Sequence, residues 1–389
     1  MKAFTEPLLS LAGFEEMTKT AEKSSGLISV TGCIDAQKSQ MIYAFGGHRK
    51  NKLIVTFGEQ KAKELYDEYS FFDKEVVYYP SKDVLFYQSD IRGNLLTAER
   101  IRALKAIREQ ERVTLVTTFD ALMNTMAPIE KMWENVLTLE QGQLLDLKEI
   151  QAALIRMGYE KEYQVQTMGQ FSVRGGILDV FPLTEENPIR IELWGDDIDT
   201  IRYFDCESQK SIENIDRVSI YPAAELVLSD EEKAGGIEKL KAEAKRVSDK
   251  LRKQMKTEEA HRVTVMADEL TEEWGELSMY AGMDAFLSYF FDERVGLLDY
   301  FKPSDSLIFF DELTRCAEQG KLTETEFSES MKQRLAMGYI LPGQMNGLFT
   351  EKEIVAKLEK YSCIALGALD NKANGLHQLG SYGIHCQSV

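Results

Sequence analysis

Residues 32–39 have the spacing of a loop that binds nucleotide phosphates. They read GCIDAQKS and follow a short apolar run that is rich in β-forming residues. An intact loop reads G-x-x-x-x-G-K-[ST], in which backbone N–H groups and the lysine hold the phosphates and the hydroxyl binds Mg²⁺. Here Gly32, Lys38 and Ser39 are in place, but the second glycine is Gln37. Because a side chain at that position obstructs the approach of phosphate to the backbone, the segment predicts a degenerate nucleotide site.

A pair of acids, Asp311 and Glu312, ends the apolar run DSLIFFDEL at residues 305–313. In nucleotide hydrolases such a pair holds Mg²⁺ and positions the attacking water. A hydrolase needs the loop and the carboxylates together, and only the carboxylates are intact here. We therefore interpret the pair as what remains of a lost active site. The alternative is an active nucleotide-binding and nucleotide-hydrolysing helicase lobe, which Mg²⁺-dependent ATP turnover abolished by Lys38→Ala would indicate.

A possible recognition surface lies on the strand predicted for residues 189–194, which read IRIELW. Alternation along this strand would place its aliphatic residues in a core and three other side chains on the opposite face, namely Arg190, Glu192 and Trp194. Exposed tryptophan and arginine are typical of the residues that dominate protein interfaces. The alternative is that a loop half covers Trp194 and that Arg190 pairs with a nearby acid.

This strand belongs to a predicted antiparallel meander. Residues 171–181 are predicted as its first strand and residues 198–204 as its third, after the turn at 195–197. A helix that ends at Gly158 precedes the meander. These elements predict a small α+β domain over residues 132–222.

Apolar runs and helical segments alternate on both sides of this domain. Strands are predicted at residues 51–57, 74–79 and 113–118, with helices between them, which favours a parallel α/β sheet. This layout is that of a RecA-like, helicase-type lobe. We expect residues 1–131 and 223–389 to be the two parts of a degenerate RecA-like lobe, interrupted by the insert.

Two segments carry a resemblance to a known family. GQFSVRGGILDVFP at residues 169–182 and PIRIELWGDDIDTIRYFD at residues 188–205 resemble the UvrA-binding domain shared by the excision-repair protein UvrB and the transcription-repair coupling factors. The resemblance covers residues 71–225 well and the rest more loosely. It implies that the surface which binds UvrA includes Arg174, Arg190 and Trp194, with Glu192 and Arg202 as weaker candidates at its rim. It also suggests that the Gly175-Gly176 pair lets a partner's backbone come close.

The chain departs from UvrB and is more similar to the coupling factors. UvrB has an intact phosphate loop and a long aromatic hairpin, whereas the matching segment here, YYPSKDVLFYQSD at residues 78–90, is short. Its aromatic residues could stack on nucleic acid, but we expect them to be packing residues: Tyr78, Tyr79, Phe86 and Tyr87. The resemblance implies a UvrB-homology module that has lost its ATPase activity and recruits UvrA to stalled RNA polymerase.

The same resemblance implies partners and cofactors beyond these residues. ATP and Mg²⁺ would be used by motor domains that are absent from these 389 residues, so no cofactor is expected here. RNA polymerase and DNA would be bound only by absent regions, and the C-terminal domain of the full-length chain would mask the UvrA-binding surface.

Composition limits the remaining function classes. The net charge is −18, with 64 acidic against 46 basic residues, which is the wrong sign for a protein that coats phosphate backbones. Five scattered cysteines and four histidines form neither a disulfide framework nor a metal motif, which is typical of a cytoplasmic protein. No apolar run reaches about 18 residues, so no membrane span is predicted. The apolar ending GSYGIHCQSV suggests a cut from a longer chain.

Overall fold

A seven-stranded parallel sheet forms the centre of the chain in the computed structural model, which describes residues 13–45, 49–82, 93–276, 282–369 and 373–384 together with Glu6, Leu8 and Leu11. The predicted aromatic pair Phe86 and Tyr87 lies outside these residues. The strands are β1 Gly26–Thr31, β2 Asn51–Thr56, β3 Val77–Tyr79, β4 Val113–Thr118, β5 Leu137–Glu140, β6 Glu160–Lys161, β7 Gln170–Arg174, β8 Ile177–Val180, β9 Ile189–Trp194, β10 Asp197–Phe204, β11 Ser211–Asn214, β12 Arg217–Ile220, β13 Ser306–Asp311, β14 Ser362–Gly367 and β15 Gln378–Gly383.

The helices are α1 Phe14–Lys23, α2 Asp35–Phe45, α3 Glu59–Tyr69, α4 Gly93–Glu109, α5 Phe119–Met123, α6 Ile129–Glu134, α7 Leu147–Arg156, α8 Asp230–Lys253, α9 Thr257–Glu276, α10 Leu287–Phe290, α11 Leu313–Ala336 and α12 Glu351–Leu358. Among the described residues, short 3₁₀ helices occupy Met283–Phe286, Leu297–Tyr300, Pro303–Asp305 and Pro342–Gly347. Within the described part of the chain, no helix combines the length and the apolar character needed to cross a bilayer.

The central sheet has the strand order β15-β1-β14-β13-β2-β4-β3, and every neighbouring pair is parallel. Parallel strands that are covered on both faces read as continuous apolar runs. Successive residues of β2 accordingly enter different cores, with Leu53 and Val55 on one side of the sheet and Ile54 on the other. The prediction of a parallel α/β lobe beside a smaller α+β unit is confirmed.

A separate six-stranded sheet has the order β11-β10-β9-β8-β7-β6 and is antiparallel from β7 to β11. One face packs on helix α7 through a shared core that includes Ile150, Leu154, Leu178 and Ile191. The other face carries the polar side chains. All of these strands lie between residues 137 and 220; the domain boundaries at 131 and 222 stay a prediction.

The prediction of one strand over residues 171–181 was wrong, because this segment is a hairpin of β7 and β8. The phase of the alternation changes at the turn: Phe171 faces the core on β7, but on β8 it is Leu178 and Val180. Gly175 takes a left-handed φ of 61° in the turn, and a Cβ on Gly176 would lie only 3.1 Å from Leu193 O. The hairpin itself therefore favours glycine at both positions, and the close approach of a partner's backbone stays a prediction.

Helix α4 of the parallel α/β lobe contacts the domain that contains the antiparallel sheet. Lys105 lies 3.0 Å from Glu185, and the Tyr221 hydroxyl donates to Glu109 at 2.6 Å. Near the middle of the helix the buried Arg100 guanidinium donates through Nε to Glu225 at 2.7 Å. The two parts of the molecule are thus joined by charged contacts along one helix.

Glu225 is the centre of a buried ion cluster. Besides Arg100, it contacts Lys82 Nζ at 2.9 Å, and Lys82 also contacts Asp284 at 2.6 Å. Burial by itself raises the pKa of Glu225, but attraction to Arg100 and Lys82 outweighs it and lowers the pKa to about 2. A carboxylate whose pKa is lowered by folding stabilises the fold above its unfolded pKa, and this stabilisation is lost as pH falls toward the folded pKa.

The substitution Glu225→Gln is expected to lower the free energy of unfolding at pH 7 by about 1–2 kcal/mol, since the amide keeps the shape but loses the charge. Urea unfolding between pH 7 and pH 2 should also show a shallower loss of stability in the variant below about pH 4.5. Glu238→Gln, at an exposed position of α8, is the control and should behave like the unsubstituted chain. If the free energy of unfolding depends on pH in the same way for all three proteins, Glu225 does not have a lowered pKa in the folded chain.

Candidate docking surface and nucleotide loop

The outward face of the antiparallel sheet brings the five predicted docking residues together. Strand register aligns Arg174 with Ile177, and Ile177 with Glu192. It likewise aligns Asp179 with Arg190, and Arg190 with Arg202. Trp194 follows Glu192 by two residues and shares its face. The surface formed by these side chains is called the docking face below: Arg174, Asp179, Arg190, Glu192, Trp194 and Arg202.

Asp179 holds two arginines of the docking face. Its carboxylate is 2% exposed and receives Arg190 Nε at 2.7 Å and Arg190 NH2 at 2.8 Å. Arg174 NH2 donates to the same carboxylate at 3.0 Å. Sequence reasoning missed Asp179 because it treated the hairpin as one strand. The correct phase would have placed Asp179 outward, directly opposite Arg190.

Arg190 lies on the predicted face but is mostly covered. Its side chain is 12% exposed, its NH2 also donates to Gln209 at 2.8 Å, and its guanidinium stacks 4.3 Å from the Phe204 ring centre. Hydrogen bonding to Asp179 raises the pKa of Arg190, outweighing burial. Of the two interpretations of this strand, exposure holds for Trp194, whereas Arg190 pairs with an acid.

Arg202 and Glu192 pair with each other at the rim. Arg202 NH1 donates to Glu192 Oε2 at 2.9 Å, and Arg202 NH2 donates to Glu192 Oε1. The hydrogen bond from Arg202 lowers the pKa of Glu192, more than burial raises it. This pair neutralises itself, so the rim offers shape and hydrogen-bonding groups and little net charge.

Trp194 is the most exposed side chain of the docking face. It is 83% exposed and ends β9 beside the turn residue Gly195, which has a φ of 66°. The indole is therefore presented by a tight hairpin. An exposed tryptophan on a rigid strand end can bury a large apolar area against a partner at small entropic cost.

The predicted nucleotide residues meet at the other sheet. Lys38 is 1% exposed, and its Nζ contacts carboxylate oxygens of Asp311 at 2.5 Å, of Glu312 at 2.9 Å and of Asp35 at 2.9 Å. Burial lowers the pKa of Lys38, but attraction to Asp311 and the three hydrogen bonds outweigh it and raise the pKa. Hydrogen bonds from Lys38 and then from Lys61 lower the pKa of Asp35 to about 2. The lysine that would hold phosphate is held by acids of the chain itself.

Backbone groups around the loop are also engaged within the chain. The Cys33 N–H donates to Gly367 O at 3.0 Å, and the Ile34 N–H donates to the side-chain oxygen of Gln37 at 3.4 Å. Gly32 has a φ of 78°, and a Cβ there would collide with Ile384 O. The Ser39 hydroxyl donates to Glu68 at 3.3 Å. These contacts take up N–H and hydroxyl groups that an intact loop would direct at phosphate and Mg²⁺.

Glu312 adopts a left-handed backbone conformation with a φ of 56°. Its carboxylate accepts from Lys38 and from the Ala368 N–H at 3.0 Å. Such a conformation is uncommon for a residue with a Cβ, and it tends to occur where surrounding contacts fix it. In the described ranges, no group of three or more His, Cys, Asp and Glu side chains has metal-binding geometry.

Comparison with known proteins finds a matching domain family and similar proteins of transcription-coupled repair. The profile of the UvrB interaction domain matches residues 137–226, which hold the whole antiparallel sheet and its docking face. The transcription-repair-coupling factor of Bacillus subtilis (strain 168) is 29% identical over 309 residues, 79% of this chain and 26% of that protein. Those of Staphylococcus epidermidis (strain ATCC 12228) and Staphylococcus aureus (strain MRSA252) are each 28% identical, over 86% and 85% of this chain and 28% of each relative.

Residues 137–226 thus match the UvrB interaction domain, and the chain is similar over most of its length to transcription-repair-coupling factors. It spans about a quarter of the length of the curated relatives it matches. The docking face lies inside the segment that this profile covers, whereas the cluster of Lys38 with Asp35, Asp311 and Glu312 lies outside it. The two candidate sites belong to different sheets.

Proposed function

We propose that this module docks UvrA through the docking face and so brings excision repair to stalled RNA polymerase. The observation that carries the proposal is Trp194, which is 83% exposed within the segment that matches the UvrB interaction domain. The names of the relatives support the setting, since each is a transcription-repair-coupling factor. Contacts with RNA polymerase and DNA, and masking of the face by a C-terminal domain, belong to the same proposal and require regions outside this chain.

The charge of the docking face supports a protein partner with acidic groups. Arg174 and Arg190 share the single carboxylate of Asp179, so this group keeps an excess positive charge in a chain whose net charge is −18. A locally basic face on an acidic protein restricts which surfaces can approach it and in which orientation.

The proposal also assigns no nucleotide hydrolysis to this chain. A phosphate group entering the loop would have to displace Asp311 and Glu312 from Lys38, and the N–H groups of Cys33 and Ile34 already have acceptors. The two lost elements, a free lysine and free backbone donors, are the ones on which phosphate binding depends.

Trp194→Ala is expected to weaken UvrA binding at least tenfold, about 1.4 kcal/mol, because it removes the largest exposed apolar side chain of the docking face. Isothermal titration of purified UvrA into the chain measures this. Phe71→Ala is the matched control, since Phe71 is an aromatic residue 80% exposed on the lobe. Equal affinities for all three proteins would reject the docking face, and absence of UvrA binding by the unsubstituted chain would reject the function.

A further inference from the structure

Tyr163 is an exposed aromatic residue beside the docking face that sequence reasoning did not select. Its side chain is 83% exposed, as open to solvent as that of Trp194. The Arg174 guanidinium lies 5.9 Å from the centre of its ring, within the range of a cation–π contact. The ring therefore extends the docking face past the edge of β7.

The backbone around Tyr163 is fixed against the sheet. Its carbonyl oxygen accepts the buried Ser172 hydroxyl at 2.8 Å, and the preceding Glu162 N–H donates to Phe171 O at 2.8 Å. Ser172 itself lies directly opposite Asp179. Neighbouring residues of the same sheet thus position the backbone of Tyr163 and the arginines, which lowers the cost of ordering this segment on binding.

Arg174 differs from Arg190 in how much of its guanidinium is available. The Arg190 guanidinium donates three hydrogen bonds, to Asp179 and Gln209. The Arg174 guanidinium donates one hydrogen bond to the described residues, to Asp179. Its side chain is 37% exposed, against 12% for Arg190. A guanidinium with free N–H groups fits a carboxylate in a planar, two-point contact.

We infer that Tyr163 and Arg174 form a second contact point of the docking face, at which UvrA places a carboxylate on Arg174 while the Tyr163 ring covers the guanidinium. Asp179 and Arg190 are positioning residues for this contact: Arg190 neutralises most of Asp179, and Asp179 keeps Arg174 in place. The inference rests on the proposed function, and it names the chemistry of the partner surface.

The test is titration of UvrA into the unsubstituted chain and into Tyr163→Ala, Tyr163→Phe, Tyr163→Glu and Arg174→Lys. Tyr163→Ala is expected to weaken binding at least fivefold, whereas Tyr163→Phe, which keeps the ring, should stay within twofold. Tyr163→Glu should weaken binding more than Tyr163→Ala, because its carboxylate would compete for Arg174. Arg174→Lys, which keeps the charge but loses the planar two-point contact, should weaken binding at least fivefold and leave the salt dependence of the dissociation constant nearly unchanged.

Control variants distinguish failure of the second contact point from failure of UvrA docking itself. Phe71→Ala should bind like the unsubstituted chain, and unchanged thermal midpoints show that the variants are folded. If Trp194→Ala loses affinity while Tyr163→Ala and Tyr163→Glu bind within twofold of the unsubstituted chain, the second contact point is rejected and UvrA docking stands. If the unsubstituted chain does not bind UvrA, both fail.

Discussion

Replacing Lys38 with alanine is expected to destabilise the folded chain by about 3–5 kcal/mol, the range found when one partner of a buried ion pair is removed. The substitution would leave the carboxylates of Asp35, Asp311 and Glu312 facing one another without their shared cation. Asp311 is 1% exposed and has only the Thr56 hydroxyl, at 2.8 Å, as a further side-chain partner among the described residues. The three carboxylates would repel one another, and the buried Asp311 could not be solvated by water in place of the lost lysine.

Urea unfolding monitored by circular dichroism measures the effect. Lys332→Ala is the matched control, because Lys332 is an exposed lysine of helix α11 and its loss should change the free energy of unfolding by less than about 0.5 kcal/mol. A double variant, Lys38→Met with Asp311→Asn, should recover part of the loss, since it removes a charge of each sign. The coupling between the two sites follows when the single variants Lys38→Met and Asp311→Asn are measured beside the double variant.

The Lys38 variant also decides between the proposed function and an active helicase lobe. In a working nucleotide site the lysine stabilises bound phosphate, so Lys38→Ala would abolish ATP turnover and leave the fold nearly as stable as before. We expect the reverse: no Mg²⁺-dependent turnover by the unsubstituted chain, no change in its thermal midpoint with ATP and Mg²⁺, and a large loss of stability in the variant. Turnover that depends on Lys38 would overturn the assignment.

Arg190→Ala is expected to cost 2 kcal/mol or more of UvrA affinity, as for other arginines central to an interface. The effect is mainly indirect, because the guanidinium is mostly covered. Without Arg190, the buried Asp179 carboxylate keeps Arg174 as its one cationic partner and draws it inward. The docking face then loses both its positive charge and the placement of Arg174.

Calorimetric titration of UvrA is again the measurement, with Arg217→Ala as control. Arg217 lies on β12 in the same domain, and its side chain is 64% exposed in a pair with Glu140. The control should leave affinity unchanged. Unaltered binding by Arg190→Ala would remove Arg190 from the docking face, whereas a loss in both variants would indicate a general effect on the domain.

Much of the architecture could be predicted because the local patterns agree with the tertiary environment. The strands of the parallel sheet are buried on both faces, so each reads as an unbroken apolar run. Strand β9 is buried on one face only, and its alternation placed Arg190, Glu192 and Trp194 outward, as the structure has them. In these segments the period of the pattern and the burial of the side chains carry the same information.

The contacts that define the candidate sites could not be predicted in this way. Lys38 and Asp311 are 273 residues apart in sequence, and no local pattern records that their side chains meet. Strand β15 was missed because its sequence, QLGSYG, is rich in glycine and lacks alternation. The place of Tyr163 depends on a hydrogen bond from Ser172 in the next strand, and Asp179 was hidden by the unrecognised hairpin.

The pairing of β5 with β12 affects how the two domains can evolve. Leu137 pairs with Ile220 and Glu140 with Arg217, so the polypeptide departs from the lobe and returns to it at one spot. An inserted domain whose two ends lie side by side does not change the path of the chain in the domain that contains it. The parallel α/β lobe can then lose an enzymatic activity by mutation while the recognition surface of the inserted domain stays unchanged.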